Sequence, residues 1–293
     1  MTIHYHIILG AKLDAQQRAE TQNLIERTFS FVDQVYNKWN PASELSKLNI
    51  LPAEWQIPLS SEMEELLLKT EEIVKLSQGR FDPTINPLQD LWKTAREKGM
   101  EPCTSDLKAL LPVIGWQNIH FKNGLFYKDF AETSIDLGGI AKGYCVDLLL
   151  ERLQNAGYKD LFVEWGGEIR TSGMHPEHRP WRIFISRLQD TDPEHAIAHL
   201  ELIDQAIATS GDYMQCWESE GKTFFHIFDP QQATPLNQKK GGIASVSVLA
   251  PTCAFADGLA TAAMLFDSVS EAQAWAQTVQ EKYPDVQFLF AVR

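Results

Sequence analysis

Apolar and polar positions alternate at the start of the chain, in MTIHYHIILG, and the pattern predicts a strand over Ile3–Leu9. The period then lengthens to that of a helix from about Gln16 to Trp39. A second helix is expected from Ser61, where Ser61 and Glu64 make the Ser-x-x-Glu pattern of a capping box. Its Met63, Leu66, Leu67, Ile73 and Val74 fall on one face. Two alternating runs joined by Asn123-Gly124, in NIHFKNGLFYKDF, read as a hairpin. Further strands are predicted near 133–137, 160–164, 167–173, 181–186, 197–209, 222–228, 243–250 and 286–292. Helices are predicted at about 140–155, 252–266 and 270–282. Strands that adjoin through hairpins, with helices in blocks, indicate an α+β class with largely antiparallel sheets packed with helices. No low-complexity linker, charge run or short repeat divides the chain, and residues 1–293 are read as a single domain.

Charge narrows the partners. A formal net charge of −13 argues against nucleic acid and against a polybasic membrane surface. An anionic ligand is still compatible, provided that helix N-termini, a few fixed cations or a metal ion hold it. No apolar run approaches the roughly 20 residues of a membrane helix. The first residues lack the charged-then-apolar plan of a signal peptide, so the sequence is read as starting inside folded structure. Either the native protein is leaderless or its leader is not included. Cys103, Cys145, Cys216 and Cys253 have no CxxC spacing, which speaks against a zinc site or redox pair; free thiols and two bridges both remain open.

Four polar clusters interrupt the apolar pattern. In SIDLGGIAKGYCVDLLLERL (134–153), a strand end carrying Asp136 meets Gly138-Gly139 and then a helix from about Ile140. Such a turn permits close backbone approach, and the free N–H groups of the helix start suit an anion. Lys142 sits in the first helical turn, where a cation is mildly unfavourable unless an anion is near. In APTCAFADGLATAAMLF (250–266), Asp257 and Thr261 are four apart on one helix face and can offer two oxygens to a hard cation such as Mg²⁺. In ATSGDYMQCWESEGKTFFHIFDP (208–230), His226 lies among Phe224, Phe225 and Phe228; it is either a core histidine or a base. In FDPTINPLQDLW (81–92), two prolines stiffen a loop that either presents Asp82 to a heterocycle or is purely structural.

Together these segments make the chain resemble the FAD:protein FMN transferase (ApbE) family over nearly its whole length. The matching stretches stand in the family's order: MTIHYHI, WNPASELSKLN, GRFDPTINPLQDLW, IDLGGIAKGYCVD, VEWGGEIRTSG, ATSGDY, FHIFDP and SVSVLAPTCAFADGLAT. The resemblance implies a tandem T-fold-like architecture and an enzyme that binds FAD and Mg²⁺. Such an enzyme splits FAD, joins FMN by a phosphoester bond to a threonine of an acceptor flavoprotein, such as a subunit of a membrane redox pump, and releases AMP. It further implies a place on the periplasmic side of a bacterial cytoplasmic membrane, through a leader or lipid anchor.

Residue by residue, the resemblance makes Asp257, Thr261 and the main-chain carbonyl of Gly139 metal ligands. Met1, Trp39, Arg80, Phe81, Asp82, Asp136, Lys142 and Phe228 match FAD contacts. His226 matches a histidine suited to proton transfer, with a metal-side carboxylate, Asp257, as rival. Two departures stand out. DPQQATPLN replaces the family's frequent Thr-Gly-x-Pro turn, and Ala260 stands where some relatives carry an acidic residue. The alternatives are an FAD pyrophosphatase releasing FMN and AMP, and a non-catalytic FAD-binding protein. A nicotinamide oxidoreductase is disfavoured, because no GxGxxG follows a strand.

Overall fold

The computed structural model describes residues 4–187, 190, 192–213, 215–219 and 221–293. Its first half contains β1 (Tyr5–Leu9), α1 (Ala15–Val35), α2 (Glu44–Asn49), β2 (Ile57–Pro58), α3 (Ser61–Leu76), α4 (Asn86–Glu97), α5 (Thr104–Leu110), β3 (Ile119–Lys122) and β4 (Leu125–Lys128). Then come α6 (Ala141–Asn155), β5 (Leu161–Trp165), β6 (Glu168–Ser172), β7 (Trp181–Ile185), β8 (Ala198–Leu202), β9 (Ala206–Gly211), β10 (Trp217–Ser219) and β11 (Lys222–Asp229). The chain finishes with β12 (Thr234–Asn237), β13 (Ile243–Ala250), α7 (Cys253–Met264), α8 (Val269–Lys282) and β14 (Gln287–Val292).

Period-two patterning builds a six-stranded sheet in the order β1-β5-β6-β9-β13-β14, antiparallel at every pairing. One face sends Leu161, Val163, Ala208, Val246 and Val248 into the main core, where α6 and α7 cover it and α1 packs on α6. The opposite face is covered by the β7–β8 ribbon, whose Trp181 and Leu202 pack on Ile207 and Leu249. The Trp181 indole N–H donates to the Ser172 carbonyl at 3.2 Å. A second sheet, β10-β11-β12, stands apart from the first. The predicted hairpin is β3–β4, with Asn123 and Gly124 both in the left-handed region at φ 55° and 70°.

Several expectations change. Ser60, not Ser61, caps α3: its hydroxyl accepts the Met63 N–H at 3.1 Å. Glu44 fixes that choice by accepting both the N–H and the O–H of Ser60. Residues 133–137 are no ladder strand. The Asn49 side-chain amide bonds both the N–H and the C=O of Ile135, replacing a neighbouring strand. The expected strand over 197–209 is two strands in different sheets, divided near Asp204, whose φ is 51°. The long first helix ends at Val35 rather than Trp39, and Ile3 lies outside the described residues. No disulfide links the cysteines among the described residues. Among the described residues no helix is long and apolar enough to cross a membrane.

Trp181 is 2% exposed and fastens the ribbon to the sheet. Trp181→Ala is expected to lower stability by about 3–5 kcal/mol, read by denaturant unfolding.

Candidate functional site

Helix α6 starts without a side-chain cap from its own segment, and so does α7. Each receives its cap from the other. The Asp257 carboxylate of α7 accepts the Gly143 N–H at 3.0 Å. The Asp147 carboxylate of α6 accepts the N–H groups of Cys253 and Ala254 at 2.8 and 2.9 Å. Gly143 makes this approach feasible, since a Cβ there would stand 2.3 Å from the Cys253 carbonyl oxygen. Asp147 is completed by Arg170, 2.9 Å away on β6.

Beside that closed pair lies an unbalanced one. Lys142, in the first turn of α6, is ion-paired with Glu168 at the start of β6. The Glu168 side chain is 1% exposed and that of Lys142 34%, so the pair runs from the interior to open space. Burial opposes the Lys142 charge, but Asp257 and Glu168 outweigh it and push the ammonium up to about 12. Burial and then the Asp257 charge push the Glu168 carboxyl upward, with Lys142 opposing. Burial likewise raises Asp257. Two carboxyl groups thus act on one lysine. Among the described residues, Glu168 Oε2 is buried without a hydrogen-bond partner.

Thr261 Oγ1 lies 3.0 Å from Ser210 Oγ on β9. A Cβ built on Gly139 would meet Thr261 Oγ1 at 3.2 Å and Phe81 Cε2 at 3.0 Å, so the Gly139 backbone lies against both side chains. Asp257, Thr261 and Gly139 therefore lie around the paired helix starts. One Asp257 oxygen takes the Gly143 N–H, and the other accepts no hydrogen bond among the described residues. A carboxylate oxygen and a hydroxyl with the Gly139 backbone beside them are donor types suited to a hard cation. No group of three His, Cys, Asp or Glu side chains with metal-site geometry occurs among the described residues.

The loop at 81–86 joins the same region. The Asp136 N–H donates to the Pro83 carbonyl at 2.7 Å, and the Asp136 carboxylate accepts the Gly138 N–H at 2.8 Å. Lys38 bridges the Asp136 carboxylate, Asn86 and Gln89, each at 2.9 Å. The neighbouring Trp39 is 74% exposed and carries Lys38 and Lys93 against its ring. Asp82 is turned inward: its carboxylate accepts from Thr84 N–H, Thr84 O–H and Trp116 N–H. Arg80 donates to the Leu265 carbonyl and stacks over Phe266. Phe228 is buried in a small cluster with Leu88, Trp92, Ile114 and Ala233. His226 lies on β11, in the stretch where register with β12 slips between Phe224 and Phe228. Met1 lies outside the described residues.

Sequence reading missed Lys38, Asp147, Glu168 and Arg170. For Glu168 and Arg170 a signal existed: in GGEIRTS they alternate with Ile169 and Thr171, and both bond α6. Lys38 and Asp147 gave none, because their partners are distant in sequence.

The class is an antiparallel α+β fold whose abutting helix starts hold a lysine among buried carboxylates. The chain belongs to the ApbE family, whose family model matches residues 1–290. It is similar to the FAD:protein FMN transferase of Chlamydia pneumoniae, 43% identical over 279 residues covering 94% of this chain and 86% of that one. The flavin transferase ApbE from Vibrio cholerae superposes with a TM-score of 0.83 and 30% identity, covering 100% of this chain and 91% of that one. The apo flavinyl transferase ApbE of Pseudomonas stutzeri gives 0.82 and 25%, covering 100% and 92%. The expected tandem T-fold-like α+β architecture agrees with these neighbours.

Gly143→Ala is expected to drive the two helix starts apart and destabilise the chain by about 1–3 kcal/mol or more, measured by thermal or denaturant unfolding.

Proposed function

We propose that this chain is an FAD:protein FMN transferase that depends on Mg²⁺ and modifies a threonine of an acceptor flavoprotein, releasing AMP. One observation carries the reading: family membership over almost the whole chain coincides with Gly139, Lys142, Asp257 and Thr261 gathered at two abutting helix starts. Asp257, Thr261 and the Gly139 carbonyl would hold the Mg²⁺. Bound there, the ion would supply neutralisation of pyrophosphate charge.

The chain's own residues do the rest. Lys142 stabilises phosphate oxygens as charge develops on them. The acceptor threonine Oγ attacks the phosphorus on the riboflavin side, its proton passing to His226. The new Oγ–P bond forms as the P–O bond of the pyrophosphate breaks, and AMP leaves with the electron pair. Proton acceptance of this kind contributes on the order of 10²–10⁴-fold. Asp136 and Trp39 form the flavin side of the pocket, with Lys38 bracing Asp136 and the buried Phe81 packing beneath the Gly139 backbone. Arg80, Asp82 and Phe228 act through main-chain groups and packing, because Asp82 and Phe228 are buried and Arg80 is engaged with Leu265 and Phe266. The reading includes action on the periplasmic side of a bacterial cytoplasmic membrane, supported by family resemblance; cell fractionation checks it.

Incubation with FAD, Mg²⁺ and a candidate acceptor is expected to add the mass of FMN to the acceptor, read by mass spectrometry, with AMP formed in equal amount. AMP and free FMN without an acceptor adduct would indicate a pyrophosphatase. Bound FAD with no AMP under saturating Mg²⁺ would indicate a binding protein.

Asp257→Asn keeps an oxygen for the Gly143 amide but removes the charge that holds the cation. Transfer is expected to fall on the order of 10²–10³-fold while the melting curve changes little. Undiminished turnover would overturn the metal assignment.

A further inference from the structure

The proposed reaction gives no role to Glu168, a buried carboxyl group beside the paired helix starts. It opens β6 directly after the Gly166-Gly167 turn, whose φ angles of 68° and 102° require glycine-like freedom. Its register partner is Trp165, and like that residue it points to the helix side of the sheet. One carboxylate oxygen pairs with Lys142 and the other is buried without a partner among the described residues. A buried charged group left half-satisfied destabilises a fold and calls for an explanation.

Lys142 has the complementary peculiarity. A lysine at a helix start is repelled by the helix's own partial charge, and its long side chain carries about 2 kcal/mol of rotamer entropy. Left alone it would swing into solvent. Among the described residues the ammonium has Glu168 as its single hydrogen-bond partner. An ammonium has three donors, so two remain for a ligand. Tyr213 stands close enough for the Glu168 and Lys142 charges to act on its phenol. Gly211 leaves room for that ring, since a Cβ there would come within 2.3 Å of it.

We propose that Glu168 is a positioning residue: it holds the Lys142 ammonium in one orientation, with its remaining donors directed at the pyrophosphate of the bound dinucleotide. The inference rests on the flavin transferase reading for the identity of that ligand. Glu168 touches no reacting atom; it acts through Lys142.

A double-mutant cycle tests this. FAD affinity is measured without divalent cation by quenching of flavin fluorescence, and transfer kcat with Mg²⁺, for the parent chain, Lys142→Met, Glu168→Gln and the double variant. Lys142→Met is expected to weaken FAD binding about ten-fold, and Glu168→Gln to weaken it by nearly as much although it removes a negative charge. The double variant is expected to be no worse than Lys142→Met. Equal affinity of Glu168→Gln and the parent, tighter binding by Glu168→Gln, or losses that multiply in the double variant would each overturn the proposal. Glu168→Asp, which keeps the charge, carries the same cycle if the glutamine variant does not fold, with affinity expected between parent and Lys142→Met. FAD binding with the coupling intact but no transfer would overturn the transferase reading and leave this inference standing. A parent chain that does not bind FAD would overturn both.

Discussion

Two helix starts, each lacking a cap of its own, are pressed together so that each takes a carboxylate from the other. Their partial positive charges would repel at this distance. Asp147 and Asp257 reverse that repulsion by accepting three buried N–H groups between them. Leaving such donors unpaired would cost about 1–3 kcal/mol each. The arrangement tolerates only glycine at 143, because the Cys253 carbonyl occupies the place of a side chain. The position of Asp257 is thereby set by the scaffold.

The sheet extends this logic. Glu168 and Arg170 are two apart on β6; Lys142 and Asp147 are five apart on α6. Two strand residues advance about 6.8 Å and five helical residues roughly 7.5 Å, so the two ion pairs form successive rungs between strand and helix. The inner rung is closed: Arg170 also reaches Glu151, and Asp147 uses both oxygens on α7 amides. Among the described residues, the outer rung leaves one carboxylate oxygen and two ammonium donors without partners.

Periodicity carried the antiparallel α+β class, the Asn123-Gly124 hairpin and the shared face of Asp257 and Thr261, because each depends on neighbours within a few residues. It failed where a distant side chain decides. Asn49 supplies the hydrogen bonds that 133–137 would have found in a ladder, and Glu44 selects Ser60 over Ser61 as the cap. Helices α2 and α5, of six and seven residues, are too short for a period to declare itself. The reciprocal caps join residues more than a hundred positions apart, and no local pattern announces them. Asp82 shows the converse: a polar residue in a family motif whose carboxylate braces its own loop.

The departure at DPQQATPLN is resolved by packing. Ala233 sits in the left-handed region at φ 54°. An alanine there carries roughly 1–2 kcal/mol of backbone strain. Two features offset it. The Asp229 carboxylate accepts the N–H groups of both Gln231 and Gln232, holding the turn from within. The Ala233 methyl is buried against Leu88, Trp92, Ile114 and Phe228, and its carbonyl accepts the Trp92 indole N–H at 3.1 Å. Glycine would relieve the strain but contribute no side chain to that cluster. The exchange fastens β11, and with it His226, to the start of α4 and the 81–86 loop, which itself reaches Asp136 and Gly139. Although His226 belongs to a separate sheet from the strands behind Asp257, its strand is tied to the helix starts through this chain of contacts. The turn thus joins the histidine strand to the 81–86 loop through Ala233 and Trp92.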